Sequence, residues 1–182
     1  QYAVTVDTSP PNLNVTVDGV PRVAPQADWW DAGSLHVLDA PSPQTAAGTQ
    51  HTFTAWSDAG PQNHTVVASG PATYIAIFGV QYEITLLTQP NGFPLVVDGA
   101  SDFAPYRFWC GAGTNHTIEA PTPDLGPRTR VTFLRWSDGG AQNHTIPCTA
   151  PATYTASFRV EDEVVVDTSP PGLQVTVIGV AV

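Results

Sequence analysis

The sequence predicts an all-β chain of tandem antiparallel β-sandwich repeats, immunoglobulin-like and 80 residues long, and three observations carry that prediction. The stretch Trp136–Thr145 repeats Trp56–Thr65, 80 residues earlier, with eight of ten positions identical. The opening stretch Val6–Val20 returns as Val166–Val180, an offset of twice 80, with twelve of fifteen positions identical. Short runs of period-two alternation lie between Pro- and Gly-rich turns, and no segment carries a convincing helical period. A self-match at a fixed spacing marks a duplicated structural unit. Residues 1–80 and 81–160 are therefore expected to be two full repeats. Residues 161–182 are expected to be the opening hairpin of a third repeat, or a strand-donating segment.

The elements follow in order. Tyr2–Val6 and Leu13–Val17 alternate as strands, and Ser9-Pro10-Pro11-Asn12 between them forbids helix. The pair reads as a hairpin or a tight corner closing at Asp18-Gly19, and Tyr82–Gly99 repeats it. Pro25–Trp30 and Pro105–Trp109 read as irregular, Pro-bearing segments whose aromatic ends plug the core. Turns at Asp31–Gly33 and Gly111–Gly113 lead into strands Ser34–Leu38 and Thr114–Ile118, which stop at Ala40-Pro41 and Ala120-Pro121 because proline cannot donate to a ladder. Variable loops, Gln44–Gly48 and Asp124–Pro127, precede strands His51–Trp56 and Val131–Trp136. The repeated Trp-Ser-Asp motif is then a turn, Gln62–Val67 and Gln142–Ile146 leave it as strands, and Ala72–Phe78 and Ala152–Phe158 close the units. Seven strands per unit are expected. The few residues between Phe78 and Tyr82 leave little room for rotation between units, so the array is expected to be stiff.

The Ser-Pro-Pro opening, the Val-Asp-Gly turn, the Phe-x-x-Trp-Ser-Asp core and the Tyr-x-Ala-x-Phe close resemble the divergent internalin-type and PEGA-like β-repeats of large prokaryotic surface and secreted proteins. The resemblance spans the whole 80-residue unit, twice. It implies a spacer, stalk or adhesin segment, and such modules are also appended to secreted hydrolases.

Composition narrows the partners. The chain carries 16 acidic residues against six arginines, has no lysine, and has a net charge of -10. Without a basic stripe there is no electrostatic footprint for nucleic acid or an anionic membrane surface. No apolar run reaches the roughly 20 residues needed to span a bilayer as a helix. The chain reads as a piece of a longer polypeptide.

Cys110 and Cys148, both in the second repeat, are expected to form a structural disulfide, which places the chain in an oxidising, extracellular or cell-surface compartment. Asn14, Asn63, Asn115 and Asn143 each head an Asn-x-Thr sequon and are glycosylation candidates, with strand parity putting Asn14, Asn115 and Asn143 outward. The competing explanation is that Thr-rich strands generate such sequons freely and that Asn63 and Asn143 are one inherited position. Trp29, Trp30, Tyr106 and Trp109 are candidate aromatics for stacking on glycans.

His36, His64, His116 and His144 recur at equivalent places, but parity turns His116 and His144 toward the core and no carboxylate stands beside them in sequence, so no metal site is expected. Asp58, Asp138, Asp28 and Asp31 lack the oxygen ladder of a calcium loop. Ser57 and Ser137, each near a His and an Asp in one turn, cannot assemble a nucleophile, base and orienting group. No cofactor and no catalysis are expected. The function expected is a non-catalytic structural array of an extracellular fibre, stalk, filament or adhesin, whose partners are copies of itself or other surface components. The alternative is a carbohydrate-binding accessory module of a secreted enzyme.

Overall fold

The computed structural model describes residues 1–170, 172–174 and 176. Within them are sixteen strands and no helix. The first nine are β1 (Tyr2–Ser9), β2 (Asn14–Val17), β3 (Val20–Val23), β4 (Gln26–Trp30), β5 (Leu35–Asp39), β6 (Gln44–Ala46), β7 (Thr49–Trp56), β8 (Asn63–Val67) and β9 (Ala72–Gln89). The rest are β10 (Pro94–Val97), β11 (Ala100–Phe103), β12 (Tyr106–Gly111), β13 (Asn115–Glu119), β14 (Thr129–Trp136), β15 (Asn143–Pro147) and β16 (Ala152–Asp162). They form one eight-stranded sheet, whose spine is β14-β16-β9-β1-β4, and two four-stranded sheets, β3-β2-β5-β8 and β11-β10-β13-β15.

Each four-stranded sheet packs on one half of the large sheet, and the alternation seen in the sequence explains why. In β1, Val4 and Val6 are buried while their neighbours are not; in β2, Val15 and Val17 are buried. One face of each strand is apolar, and the two apolar faces close on one another as a sandwich. The first core holds Val4, Val6, Val15, Val17, Leu38, Trp56 and Phe78 among its members, and the second holds Ile84, Leu86, Leu95, Val97, Ile118, Trp136 and Phe158. Each of the thirteen buried residues of the first core has a counterpart in the second, 80 positions on.

The two cores share a strand. Instead of a short join between Phe78 and Tyr82, β9 runs unbroken through 18 residues. Its ladder partners overlap at the crossing point: β7 pairs with it as far as Thr49↔Tyr82, and β12 begins at Gly111↔Gln81. Glu83 N–H donates to Gly48 O at 2.8 Å and Ala112 N–H to Val80 O at 2.9 Å, so the backbone is held by both units as it passes between them.

Antiparallel pairing dominates, with two exceptions. β1 pairs with β9 in parallel, Val4↔Ala72, and β9 with β16 in parallel, Ile84↔Ala152. Both exceptions follow from the shared strand: a chain that leaves one unit and enters the next without turning must run in the same direction as the strand that opened the unit.

Three local expectations are refined or corrected. β1 and β2 lie in different sheets, so of the two readings of the Ser9-Pro10-Pro11 segment the corner holds and the hairpin does not, and Asp18-Gly19 closes the β2–β3 hairpin. Positive φ at both residues, 53° and 76°, is what a two-residue hairpin turn requires, and Gly99 follows Asp98 in the same way. The aromatic segments are regular strands: β4 pairs with β1 and β12 with β9. The loop Gln44–Gly48 contains β6, a short hairpin arm on β7 that has no counterpart in the second unit.

The third copy of the opening is described in part. Val164 is 82% exposed, where its counterparts Val4 and Ile84 are 2% and 1% exposed. Its corner nevertheless has the hydrogen bond of the others: Leu173 N–H donates to Thr168 Oγ1 at 3.3 Å, as Leu13 does to Thr8 and Phe93 to Thr88. Most of the second arm of the expected hairpin, including Val175 and residues 177–182, lies outside the described residues.

Candidate functional site

The ten-residue repeat resolves into a set of structural tasks. The buried indole of Trp56 donates from Nε1 to Gln62 O at 2.9 Å, and Trp136 to Gln142 O at 3.1 Å. Ser57 Oγ accepts from Ile75 N–H and Ser137 Oγ from Thr155 N–H, pinning the turn to the closing strand. Asp58 and Asp138 each use one carboxylate oxygen for the backbone N–H two residues on, Gly60 and Gly140, and the other for His64 or His144. Gln62 and Gln142 reach across to Ala40 O and Ala120 O. The Ser57 and Ser137 hydroxyl oxygens thus each accept from a backbone amide.

The glycine of this motif is steric. A Cβ on Gly140 would collide with the His144 ring, and one on Gly60 with His64. Gly140→Ala is expected to destabilise the second unit by about 1–3 kcal/mol, since the ring could make room only by giving up its bonds to Asp138 and Ala141 O. Denaturant melts of the variant check this, and an unchanged midpoint would contradict it.

A second His–carboxylate arrangement was not legible in sequence, because its members are 18 residues apart. His36 Nδ1 donates to Asp18 Oδ2 at 2.7 Å, and its Nε2 lies 2.8 Å from Ser34 Oγ; His116 repeats this with Asp98 at 2.7 Å and Thr114 at 3.0 Å. The expectation that no carboxylate stands at ligand spacing beside His116 or His144 is corrected: Asp98 lies 2.7 Å from His116 and Asp138 2.9 Å from His144, and Asp18 meets His36 as Asp98 meets His116.

The row of Asp, His and hydroxyl has the order of a hydrolytic triad, and each hydroxyl is also bonded to a backbone carbonyl. Ser34 Oγ lies 2.7 Å from Asp31 O, and Thr114 Oγ1 2.7 Å from Gly111 O. With Nδ1 donating to the carboxylate, the neutral ring presents Nε2 as an acceptor, so the ring nitrogen and the backbone carbonyl are rival acceptors for the one hydroxyl proton. The imidazole of His36 is also stacked on Trp30, centroids 3.8 Å apart. The geometry pins a turn to a strand.

The carboxylates respond. Burial would push Asp18 up, but the Val37 amide, the His36 ring and Arg22 together hold it below its ordinary value. Asp98 is lowered by His116 and then by the Thr117 amide. At Asp138 burial is again opposed, by the Gly140 amide and His144, and the net direction is down. A depressed carboxylate contributes stability that is complete above its unfolded value, about 4, and is lost as pH falls through the folded one. Melting temperature is therefore expected to fall below about pH 4, with a shallower acid limb in Asp98→Asn. A variant whose acid limb superimposes on that of the parent protein would refute the assignment.

The cysteines meet: Cys110 on β12 and Cys148 after β15 form a disulfide with Cα atoms 6.1 Å apart. The aromatics divide. Trp30 is 5% exposed and belongs to the first core, and Tyr106 is partly buried against the second. The alternation of β4 and β12 explains it, since Trp29 and Trp109, at equivalent positions, face outward at 69% and 38% exposure. Asn14, Asn63, Asn115 and Asn143 are all exposed and all lie in strands of the two small sheets. No three His, Cys, Asp or Glu side chains converge as a ligand set among the described residues.

No protein-family model matches the chain, and no curated protein does.

Proposed function

We propose that the chain is a non-catalytic structural segment of an extracellular fibre, stalk, filament or adhesin, in which 80-residue sandwiches succeed one another along a common strand. The observation that carries this reading is the register of the parallel pairs. Val4↔Ala72 in the first unit becomes Ile84↔Ala152 in the second, each partner shifted by 80, and the strand that ends one unit opens the next. Such a join transmits tension along a continuous backbone supported by ladders on both edges. The reading takes residues 1–80, 81–160 and 161 onward as successive repeats of immunoglobulin-like type, akin to the internalin-type and PEGA-like modules they resemble. The disulfide favours an oxidising compartment. The exposed apolar positions Val164 and Val166, buried in both earlier copies, favour continuation into further repeats or pairing with a neighbouring copy.

Two measurements test this. Electron microscopy of the native material is expected to reveal rods or filaments, and monodisperse compact monomers would overturn the array. Pulled from its ends, the first unit is expected to release about 280 Å of chain, from about 3.5 Å per residue. The second should release only about half as much until its disulfide is reduced. A single merged event would contradict independent load-bearing units.

A second reading rests on Trp29 and Trp109, which repeat an exposed indole on the large sheet. That would suit a carbohydrate-binding accessory module. Sugar binding that disappears in Trp29→Ala/Trp109→Ala, with the melting curve unchanged, would favour it.

A further inference from the structure

We infer that the two four-stranded sheets form an N-glycosylated face of this chain and that the eight-stranded sheet stays bare. The inference extends beyond the structural reading and does not depend on it.

It rests on where asparagine and threonine fall. The chain has six asparagines, four of them in strands: Asn14 on β2, Asn63 on β8, Asn115 on β13 and Asn143 on β15. Each of the four heads a sequon. The other two, Asn12 and Asn91, lie outside the strands, before β2 and β10.

If Thr-rich strands created sequons by chance, the large sheet should hold most of them. Its strands contain thirteen threonines and not one asparagine. The two small sheets contain four threonines, Thr16, Thr65, Thr117 and Thr145, and every one is the third residue of a sequon. Counting Asn63 and Asn143 as one inherited position, three independent sequons fall on the small sheets and none on the large one.

Strand geometry completes the site. Asn and Thr two residues apart share a face, and between them Val15 and the inward-turned His64, His116 and His144 anchor the strand. The asparagines are exposed in the folded protein, so a glycan on any of them meets solvent. Asn143 Nδ2 donates to Glu119 Oε2 at 3.0 Å, an exposed bond that attachment would open. In the first unit the same face shows Val23 beside Asn14 and the exposed pair Leu35↔Val67. A bare face of that kind invites association, and sugars would cover it.

The donor required is a lipid-diphosphate-linked oligosaccharide with its transferase. The asparagine Nδ2–C1 bond forms, the C1–O bond to the diphosphate breaks, the lipid diphosphate leaves with the bonding pair, and the amide releases one proton.

Glycopeptide mass mapping of protein from its native source tests the inference. Sugar mass is expected on at least one of Asn14 and Asn63 and on at least one of Asn115 and Asn143. Unmodified asparagine throughout either unit, or sugar on any residue of the eight-stranded sheet, would overturn it. In a glycosylating secretory host, Thr16→Val/Thr65→Val and Thr117→Val/Thr145→Val should each lower the intact mass by at least one glycan. Asn14→Gln/Asn63→Gln and Asn115→Gln/Asn143→Gln repeat the measurement without touching the hydroxyl, and retention of the full mass in both kinds of variant would equally overturn it.

Discussion

Trp136→Ala is expected to destabilise the second unit by about 3–5 kcal/mol. Trp136 is 1% exposed and is the largest of the fully buried side chains. It meets His144 edge to face, ring centroids 5.8 Å apart, and its indole N–H is given to Gln142 O. Truncation removes the ring, leaves a cavity between the sheets and strands that carbonyl, each a separate loss. An 80-residue unit at about 0.05–0.15 kcal/mol per residue holds about 4–12 kcal/mol in all. The variant should therefore melt its second unit well before its first. Trp136→Phe keeps most of the apolar area and loses the hydrogen bond, so a loss of about 1–2 kcal/mol is expected. Calorimetry with two resolved transitions would check both. A change under about 1 kcal/mol in the alanine variant, or an equal fall in both units, would contradict the assignment of Trp136 to one core.

What the sequence disclosed and what it withheld divide along a physical line. Period-two alternation located the buried faces of β1, β2 and β13, because burial on one face writes itself into neighbouring residues. The 80-residue period was legible for the same reason that the cores superimpose: each buried position had to be filled twice. Pairing partners were not legible. Nothing local in Tyr2–Val6 says that its neighbour is Ala72–Ile77, or that the pair is parallel. Asp18 and His36 meet only because a hairpin turn and a strand end are brought together across the sheet. The β4 and β12 strands were hidden by the prolines just before them, Pro25 and Pro105, and by their aromatic runs, which masked a regular alternation of Trp29 out and Trp30 in. The sequons were visible as strings, but their confinement to the small sheets needed the topology.

The second large effect concerns a place where the two units solve the same packing problem differently. Position 30 of the first unit holds Trp30 and position 68 holds Ala68, both buried; the second unit has Cys110 and Cys148 there, bonded. The backbone around them is alike: Gly33 and Gly113 donate to the carbonyls of Ala68 and Cys148, and those two residues donate to Ser34 and Thr114. A large ring against a small side chain has been exchanged for a covalent link between two small ones. Closing a separation of 38 residues restricts the unfolded chain by an amount worth about 4 kcal/mol. Cys110→Ala/Cys148→Ala is thus expected to destabilise the second unit by up to about 4 kcal/mol and leave the first unchanged. Cys110→Trp/Cys148→Ala, which copies the first unit's arrangement, is expected to recover part of that loss through buried aromatic area, about 1.5–3 kcal/mol. Reduced and oxidised melts of the parent chain, run beside the two variants, decide the matter. If reduction leaves the second transition where it was, the disulfide is not what replaces the missing tryptophan. If the tryptophan graft melts below the double alanine variant, the two positions are not interchangeable solutions to one packing problem.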